Sequence, residues 1–172
     1  EFNDKDVQDF IKLDKKATKL SIYGVEIDPW SEIALGEMAE LAGKTHTAAK
    51  YFERALNDFR TNSNQKGEAS SLNNLGNIAK IRGDLAEAER LQRESLALRR
   101  EIGDREGESY SLVSLGSIAR TRGDLGEAER LFRAGLALRR EVGDRQGEAH
   151  ALNNLGLIAR TRGDLAEAER LY

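Results

Sequence analysis

LVSLGSIARTRGDLGEAERL, residues 112–131, has a near-copy forty residues earlier, LNNLGNIAKIRGDLAEAERL at 72–91, and another forty residues later, LNNLGLIARTRGDLAEAERL at 152–171. A period of this size marks a small supersecondary unit that cannot bury its apolar face alone and stacks on copies of itself. Within the unit, Leu72, Leu75, Gly76 and Ala79 form one stripe of a helix, and the pattern stops at Gly83. Glycine enters the left-handed conformation without steric cost, so Gly83 reads as the residue just past the helix end. Asp84 follows as an N-cap, and Glu87 three positions on makes a capping-box-like pair. The second helix carries Leu85, Ala88, Leu91, Ser95, Leu98 and Ile102 at steps of three and four, leaving Glu87, Arg90, Arg93 and Glu94 outside. Gly103 ends it and Asp104 opens the next unit. The spacing therefore predicts an all-α chain of antiparallel helix hairpins joined by turns too short for anything else.

Shifting by forty in both directions aligns Gly36 with Gly76, Gly116 and Gly156, Gly43 with Gly83, Gly123 and Gly163, and Ala48 with Ala88, Ala128 and Ala168. A degenerate unit at about 28–62 thus precedes the units at 63–102, 103–142 and 143–172, the last of which stops midway through its second helix. The Gly76 and Ala88 positions are small because helices that pack about 8–10 Å apart need a site without a bulky side chain where they cross.

The order of Leu115, Gly116, Ala119, Gly123, Ala128 and Phe132 resembles the tetratricopeptide repeat. The usual unit has about 34 residues. The forty-residue period is similar to the long variant of spindle-orientation adaptors, kinesin light chains and bacterial regulators. The chain departs from the pattern at Ala79, Ala119 and Ala159, which replace a frequent tyrosine, and at Gln92, which replaces the aromatic kept at Phe52, Phe132 and Tyr172. HEAT-type repeats are the rival, and the repeated Gly-to-Ala spacing speaks against them. The resemblance implies a right-handed superhelical solenoid whose first helices line a concave, partner-binding surface.

Composition agrees with a scaffold. The 172 residues carry 27 basic and 30 acidic side chains, which leaves no net field suited to a polyanion or an anionic membrane. No apolar run approaches the roughly twenty residues of a membrane span, and nothing resembles a signal peptide. A cytoplasmic protein is expected. There is no cysteine, hence no disulfide framework. Glu1-Phe2 reads as a cloning-site remnant. Val7, Phe10, Ile11, Leu13, Ala17 and Leu20 predict an amphipathic helix within residues 1–27, a cap or remnant of an earlier repeat, followed by a link. Pro29 suits a helix start, where its missing donor costs little. The stop at Tyr172 reads as a cut through a longer adaptor or regulator.

With Leu72 at the core, about 100° per residue sends Ser70, Asn74, Asn77 and Ile81 to the opposite side, bordered by Asn73 and Lys80. The same places hold Tyr110, Val113, Ser114, Ser117, Arg120 and Thr121, then His150, Asn153, Asn154, Leu157, Arg160 and Thr161. In the degenerate unit they hold Trp30, Ile33, Ala34, Glu37, Glu40 and Leu41. Asparagines can hydrogen-bond both edges of an extended main chain, and Lys80, Arg120 and Arg160 form a basic column suited to carboxylates. The expected groove therefore takes a protein or peptide, an acidic one in particular.

Other motifs have simpler readings. Arg-Gly-Asp at 82–84, 122–124 and 162–164 is explained by helix capping rather than adhesion. His46 and His150 lie in different units, so no metal set, catalytic set or cofactor site is expected. Nucleic-acid binding is disfavoured by charge and by the lack of an aromatic ladder. The alternative to a peptide groove is self-association through open array ends, giving a homo-oligomer.

Overall fold

The computed structural model describes residues 9, 12–17 and 27–171. Its helices follow one another at two- to three-residue turns: α1 Pro29–Leu41, α2 Thr45–Thr61, α3 Gln65–Ile81, α4 Leu85–Glu101, α5 Arg105–Thr121, α6 Leu125–Val142, α7 Arg145–Thr161 and α8 Leu165–Leu171. Each packs against the next in the chain, so the molecule is a right-handed superhelical solenoid of hairpins. In addition α1 touches α3 and α3 touches α5, whereas α2, α4 and α6 approach one another less closely. Helices on the inside of a curved array crowd together, which makes the odd-numbered layer the concave one.

Local chemistry sets the turns. Gly83, Gly103, Gly123, Gly143 and Gly163 all have φ between 69° and 85°. The aspartate that follows caps the next helix: Asp84 accepts from the Glu87 N–H at 3.1 Å and Asp104 from the Gly107 N–H at 2.9 Å. The reciprocal arm of the expected capping box does not form. The Asp84 N–H already donates to the Ala79 carbonyl at 2.9 Å, and the Glu87 carboxylate turns instead to Arg90 at 2.8 Å. At the corresponding turn after α2, Ser63 adopts φ 53° without being glycine.

Packing inside each hairpin explains the small residues. A Cβ on Gly116 would lie 2.8 Å from the Phe132 ring, and one on Gly36 would lie 2.4 Å from Phe52. At Gly76 the neighbour is the Gln92 amide, again at 2.8 Å. Phe52, Phe132, Ala48, Ala88 and Ala128 are all fully buried.

A second glycine row escaped the sequence reading. Gly67, Gly107 and Gly147 make room for Phe59, Arg99 and Arg139, buried residues at the C-terminal ends of the preceding second helices. The Arg99 guanidinium donates through Nε to the Ser95 hydroxyl at 3.2 Å and through Nη1 to Asp104 at 2.9 Å. Arg139 keeps the aspartate contact, to Asp144 at 2.8 Å, and stacks 4.6 Å from the Tyr110 ring centroid. Its Nε has no partner among the described residues, because Gly135 stands where Ser95 stands and supplies no hydroxyl.

The first hairpin deviates inside as well as outside. Glu32 occupies the position of Leu72, Leu112 and Leu152, and is 1% exposed. It forms an ion pair with Arg54 at 2.8 Å, yet burial, with Asp58 and Asp28 nearby, pushes its carboxyl up from the ordinary 4.5 to about 7 against the pull of Arg54. Before this hairpin, residues 12–17 are helical, with Leu13 exposed and Ala17 buried with Leu35 and Tyr51. The Tyr51 hydroxyl donates to Asp14 at 2.8 Å. The predicted helix positions Val7, Phe10, Ile11 and Leu20, most of the link after them, and Tyr172 lie outside the described residues.

Candidate functional site

The two layers treat charge in opposite ways. On the second helices and the turns, arginines lie within reach of carboxylates three, four or eight residues away. Arg93 meets Glu89 at 2.7 Å, Arg100 meets Glu108 at 2.7 Å, Arg130 meets Glu127 at 2.7 Å and Arg140 meets Glu148 at 2.6 Å. Such exposed pairs stabilise by only about 0.2–0.5 kcal/mol each. Their consequence is a neutralised outer surface. The hydrogen bond from Arg90 holds the Glu87 carboxyl below its usual range, and Arg130 does the same for Glu127.

The arginine of the Arg-Gly-Asp turn belongs to this system. Arg122 caps α5 and reaches back one repeat, to the Glu89 carboxylate and to the Leu85 carbonyl at 2.8 Å. Arg162 repeats the contact with Glu129. Among the described residues Arg82 finds only the Thr45 carbonyl at 3.3 Å, because Ala49 stands at the Glu89 position. Glycine and aspartate form the turn, and arginine ties one hairpin to the next. Sequence reading explained the first two and missed the third, which depends on a partner 33 residues away.

Slots of about 380 and 330 Å³ between successive outer helices are walled by these paired charges, Glu89, Arg93 and Arg122 in one and Glu129, Arg133 and Arg162 in the other. A hollow of about 920 Å³ lies beside α2 and carries both signs, with Lys50 and Arg54 against Glu53 and Asp58. Neither surface offers unanswered charge of one sign.

The concave layer does. Arg120 and Arg160 are exposed and make no ion pair among the described residues. Lys80 is half-buried; burial lowers its pKa, and the neighbouring Arg120 lowers it further while Glu40 opposes both. Glu40 is in turn raised by burial and by Glu37, with Lys80 opposing. These mutual influences set Lys80 of α3 between Glu40 of α1 and Arg120 of α5.

Around that column, Tyr110 is 45% exposed and backed by Arg139, while Trp30 is 47% exposed and set edge-on to Phe59 at 4.8 Å. Leu41 and Ile81 project at 63% and 55% exposure. His150 and Asn153 are exposed, and Asn74, Ser114, Ser117 and Asn154 are partly so. Asn154 donates to the His150 carbonyl at 3.0 Å, which fixes its side chain along the helix.

Asn73 needs a different placement from the one its helical angle gives. It is buried, its amide donates to the Gln92 side chain at 3.2 Å, and its carbonyl accepts from the Gln92 amide at 2.9 Å. Asn77 also accepts from Gln92, at 3.3 Å. Where the other hairpins place an aromatic ring, Gln92 places an amide, and a buried amide draws in polar partners. Asn73 therefore holds the hairpin together and does not rim the groove.

These layers and contacts define a helical-repeat solenoid whose two faces differ in how their charges are paired. A tetratricopeptide repeat profile matches residues 67–141 and 108–172, and the chain belongs to that family. No curated protein sequence matches. Among solved structures, BtubC (BKLC) from P. vanneervenii superposes with a TM-score of 0.79 at 22% identity over 95% of this chain and 70% of that one. A kinesin light chain-like protein of nearly identical TPR-like repeats from Podosopora anserina gives 0.71 at 16% identity, over 96% and 83%. A Rap protein complexed with Competence and Sporulation Factor gives 0.81 at 16% identity, over 96% of this chain and 48% of that one. At such identities the likeness is one of fold. As a tetratricopeptide repeat array, the chain is a protein-interaction scaffold. No helix among the described residues is long and apolar enough to cross a membrane.

Proposed function

We propose that the concave layer holds an acidic segment of a partner protein, and that the chain serves as the cytoplasmic binding portion of a larger adaptor or regulator without chemistry of its own. The observation that carries this reading is the contrast in charge pairing. The arginines along the outer helices, Arg90, Arg93, Arg100, Arg130, Arg133 and Arg140, are answered by carboxylates within 4 Å, with Arg82 of the turn held by a carbonyl instead, whereas Arg120 and Arg160 of the inner helices make no ion pair among the described residues. Guanidinium groups accept carboxylates bidentately, so an acidic segment would supply what the outer face supplies to itself. Asn74, Ser114, Ser117, Asn153 and Asn154 offer donors and acceptors to its main chain, and Tyr110 and His150 offer flat surfaces at the start of the inner helices. Lys80 and Asn77 complete the set from α3. The Rap structure, with a factor bound to a similar array, lends the reading support by analogy of fold.

Fluorescence anisotropy with a panel of acidic twelve-residue peptides tests it. The parent chain is expected to bind at least one of them, and Asn153→Ala combined with Arg160→Ala, both exposed and outside the core, is expected to weaken that binding five-fold or more. Equal binding by variant and parent would put the site elsewhere.

A further inference from the structure

The groove is not uniform along its length. The position that holds Arg120 on α5 and Arg160 on α7 holds Lys80 on α3 and Glu40 on α1, so the sign of the column inverts within one hairpin. Glu37, one turn away on α1 and exposed, adds a second carboxylate at that end. Side chains next to the column change in step: Leu41 and Ile81, both exposed and apolar, end α1 and α3, and Thr121 and Thr161 take their places on α5 and α7. The Trp30 face lies at the acidic end as well.

We propose that the partner segment is itself bipolar, with carboxylates over α5 and α7, a lysine or arginine over Glu37 and Glu40, and an apolar side chain beside that cation against Leu41 and Ile81. This deepens the reading of the groove as a site for an acidic segment and rests on it. Charge complementarity supplies the argument. A uniformly acidic segment long enough to reach α1 would set its carboxylates against Glu37 and Glu40, and like charges brought together there disfavour the complex. A segment with a cation at that end gains at both ends and can lie in only one direction.

The geometry sets the spacing. Neighbouring helices pack about 10 Å apart and an extended chain advances about 3.3 Å per residue, so one helix step takes about three residues. From Glu40 to Arg120 is two steps, which places the cation about six residues from the first carboxylate.

Three peptides of twelve residues serve as probes. One carries Lys six residues before the first of two Asp residues that are themselves three apart, the second has Gln in place of that Lys, and the third has Asp there. Affinities are measured for the parent chain, Glu37→Gln/Glu40→Gln and Arg120→Ala/Arg160→Ala, each verified as folded by its circular-dichroism melt. In the parent chain the Lys peptide is expected to bind at least three-fold more tightly than the Gln peptide, and the Asp peptide most weakly. Glu37→Gln/Glu40→Gln is expected to bring the three affinities together, and Arg120→Ala/Arg160→Ala to weaken all three alike. An order of affinities that survives Glu37→Gln/Glu40→Gln, with the arginine variant still weakening every peptide, would overturn bipolarity and leave the acidic-segment reading intact. Failure of the arginine variant to weaken any peptide would overturn both. Sedimentation showing dimers that Arg120→Ala/Arg160→Ala disperses would make a second copy the occupant, and would equally overturn the bipolar peptide.

Discussion

The first hairpin, α1–α2, and the third, α5–α6, share a backbone plan and differ in nearly everything that is not turn or crossing point. Both keep a glycine under a phenylalanine, Gly36 under Phe52 and Gly116 under Phe132. Where the third has Leu112 the first buries Glu32, and where the third stacks Arg139 on Tyr110 the first sets Phe59 against Trp30. The exchange at the hairpin end is paired: a cation over a ring in one, a ring against a ring in the other. Unpaired changes are the informative ones. Glu32 is answered on one side only, by the half-exposed Arg54, while its other carboxylate oxygen is buried without a hydrogen-bond partner among the described residues, and Ser63 takes a left-handed turn that Gly143 takes in the third hairpin. The first hairpin is thus held less well than the third, and its groove face has the opposite charge.

The largest expected effect is at Glu32. Replacing a buried carboxylate by the leucine of the other hairpins is expected to stabilise the chain by about 1–4 kcal/mol. Arg54 is left half-exposed to solvent and does not become a stranded charge. The pH dependence has a definite sign. Glu32 has a carboxyl raised from 4.5 to about 7, so between these values the folded chain holds a proton that the unfolded chain has lost. Its contribution to stability is full below about pH 4.5 and declines as pH rises to about 7. Urea unfolding at pH 5 and pH 8 should show this decline in the parent chain and its removal in Glu32→Leu. The same decline in both would assign it to another group.

Next in size is the crossing point. Gly116→Leu is expected to cost about 1–3 kcal/mol by overpacking on Phe132. Gly76→Ala should cost less than Gly116→Ala, since the Gln92 amide can swing aside and a packed ring cannot. Thermal melts of the alanine pair decide this, and equal losses would show that the ring yields as readily as the amide. Smaller still, Ser63→Gly is expected to stabilise by about 1 kcal/mol, because a Cβ at φ 53° is strained. Gly143→Ser should lose a similar amount. If Ser63→Gly proves neutral, the first hairpin is weaker for its core alone.

Features that depend on chemistry a few residues apart were legible in the sequence. The glycine–aspartate turns, the crossing glycines and the forty-residue register are of this kind, and from them came the hairpins. Contacts that join distant residues were not. Asn73 takes its burial from Gln92 on the facing helix, 19 residues on, and Arg122 takes its role from Glu89 in the previous repeat. Helical angle alone set Asn73 at the border of the groove, and capping alone accounted for the turn that holds Arg122. The second glycine row could have been found by the same shift of forty, but Gly67, Gly107 and Gly147 take their meaning from bulky residues eight positions earlier, Phe59, Arg99 and Arg139. Glu32 stood in a leucine column from the start. Its partner Arg54 is not periodic, so no repeat pattern announces the pair.

The claim that function resides in the unanswered charge of the inner layer is tested most directly by amide chemical shifts of the labelled chain during titration with the Lys peptide. The expected shifts fall on α1, α3, α5 and α7, strongest around Arg120 and Arg160, with α4 and α6 changing little on their outer faces. Shifts concentrated at Arg93, Arg130 and Arg133 on the outer helices, or none at peptide concentrations that saturate anisotropy, would contradict it.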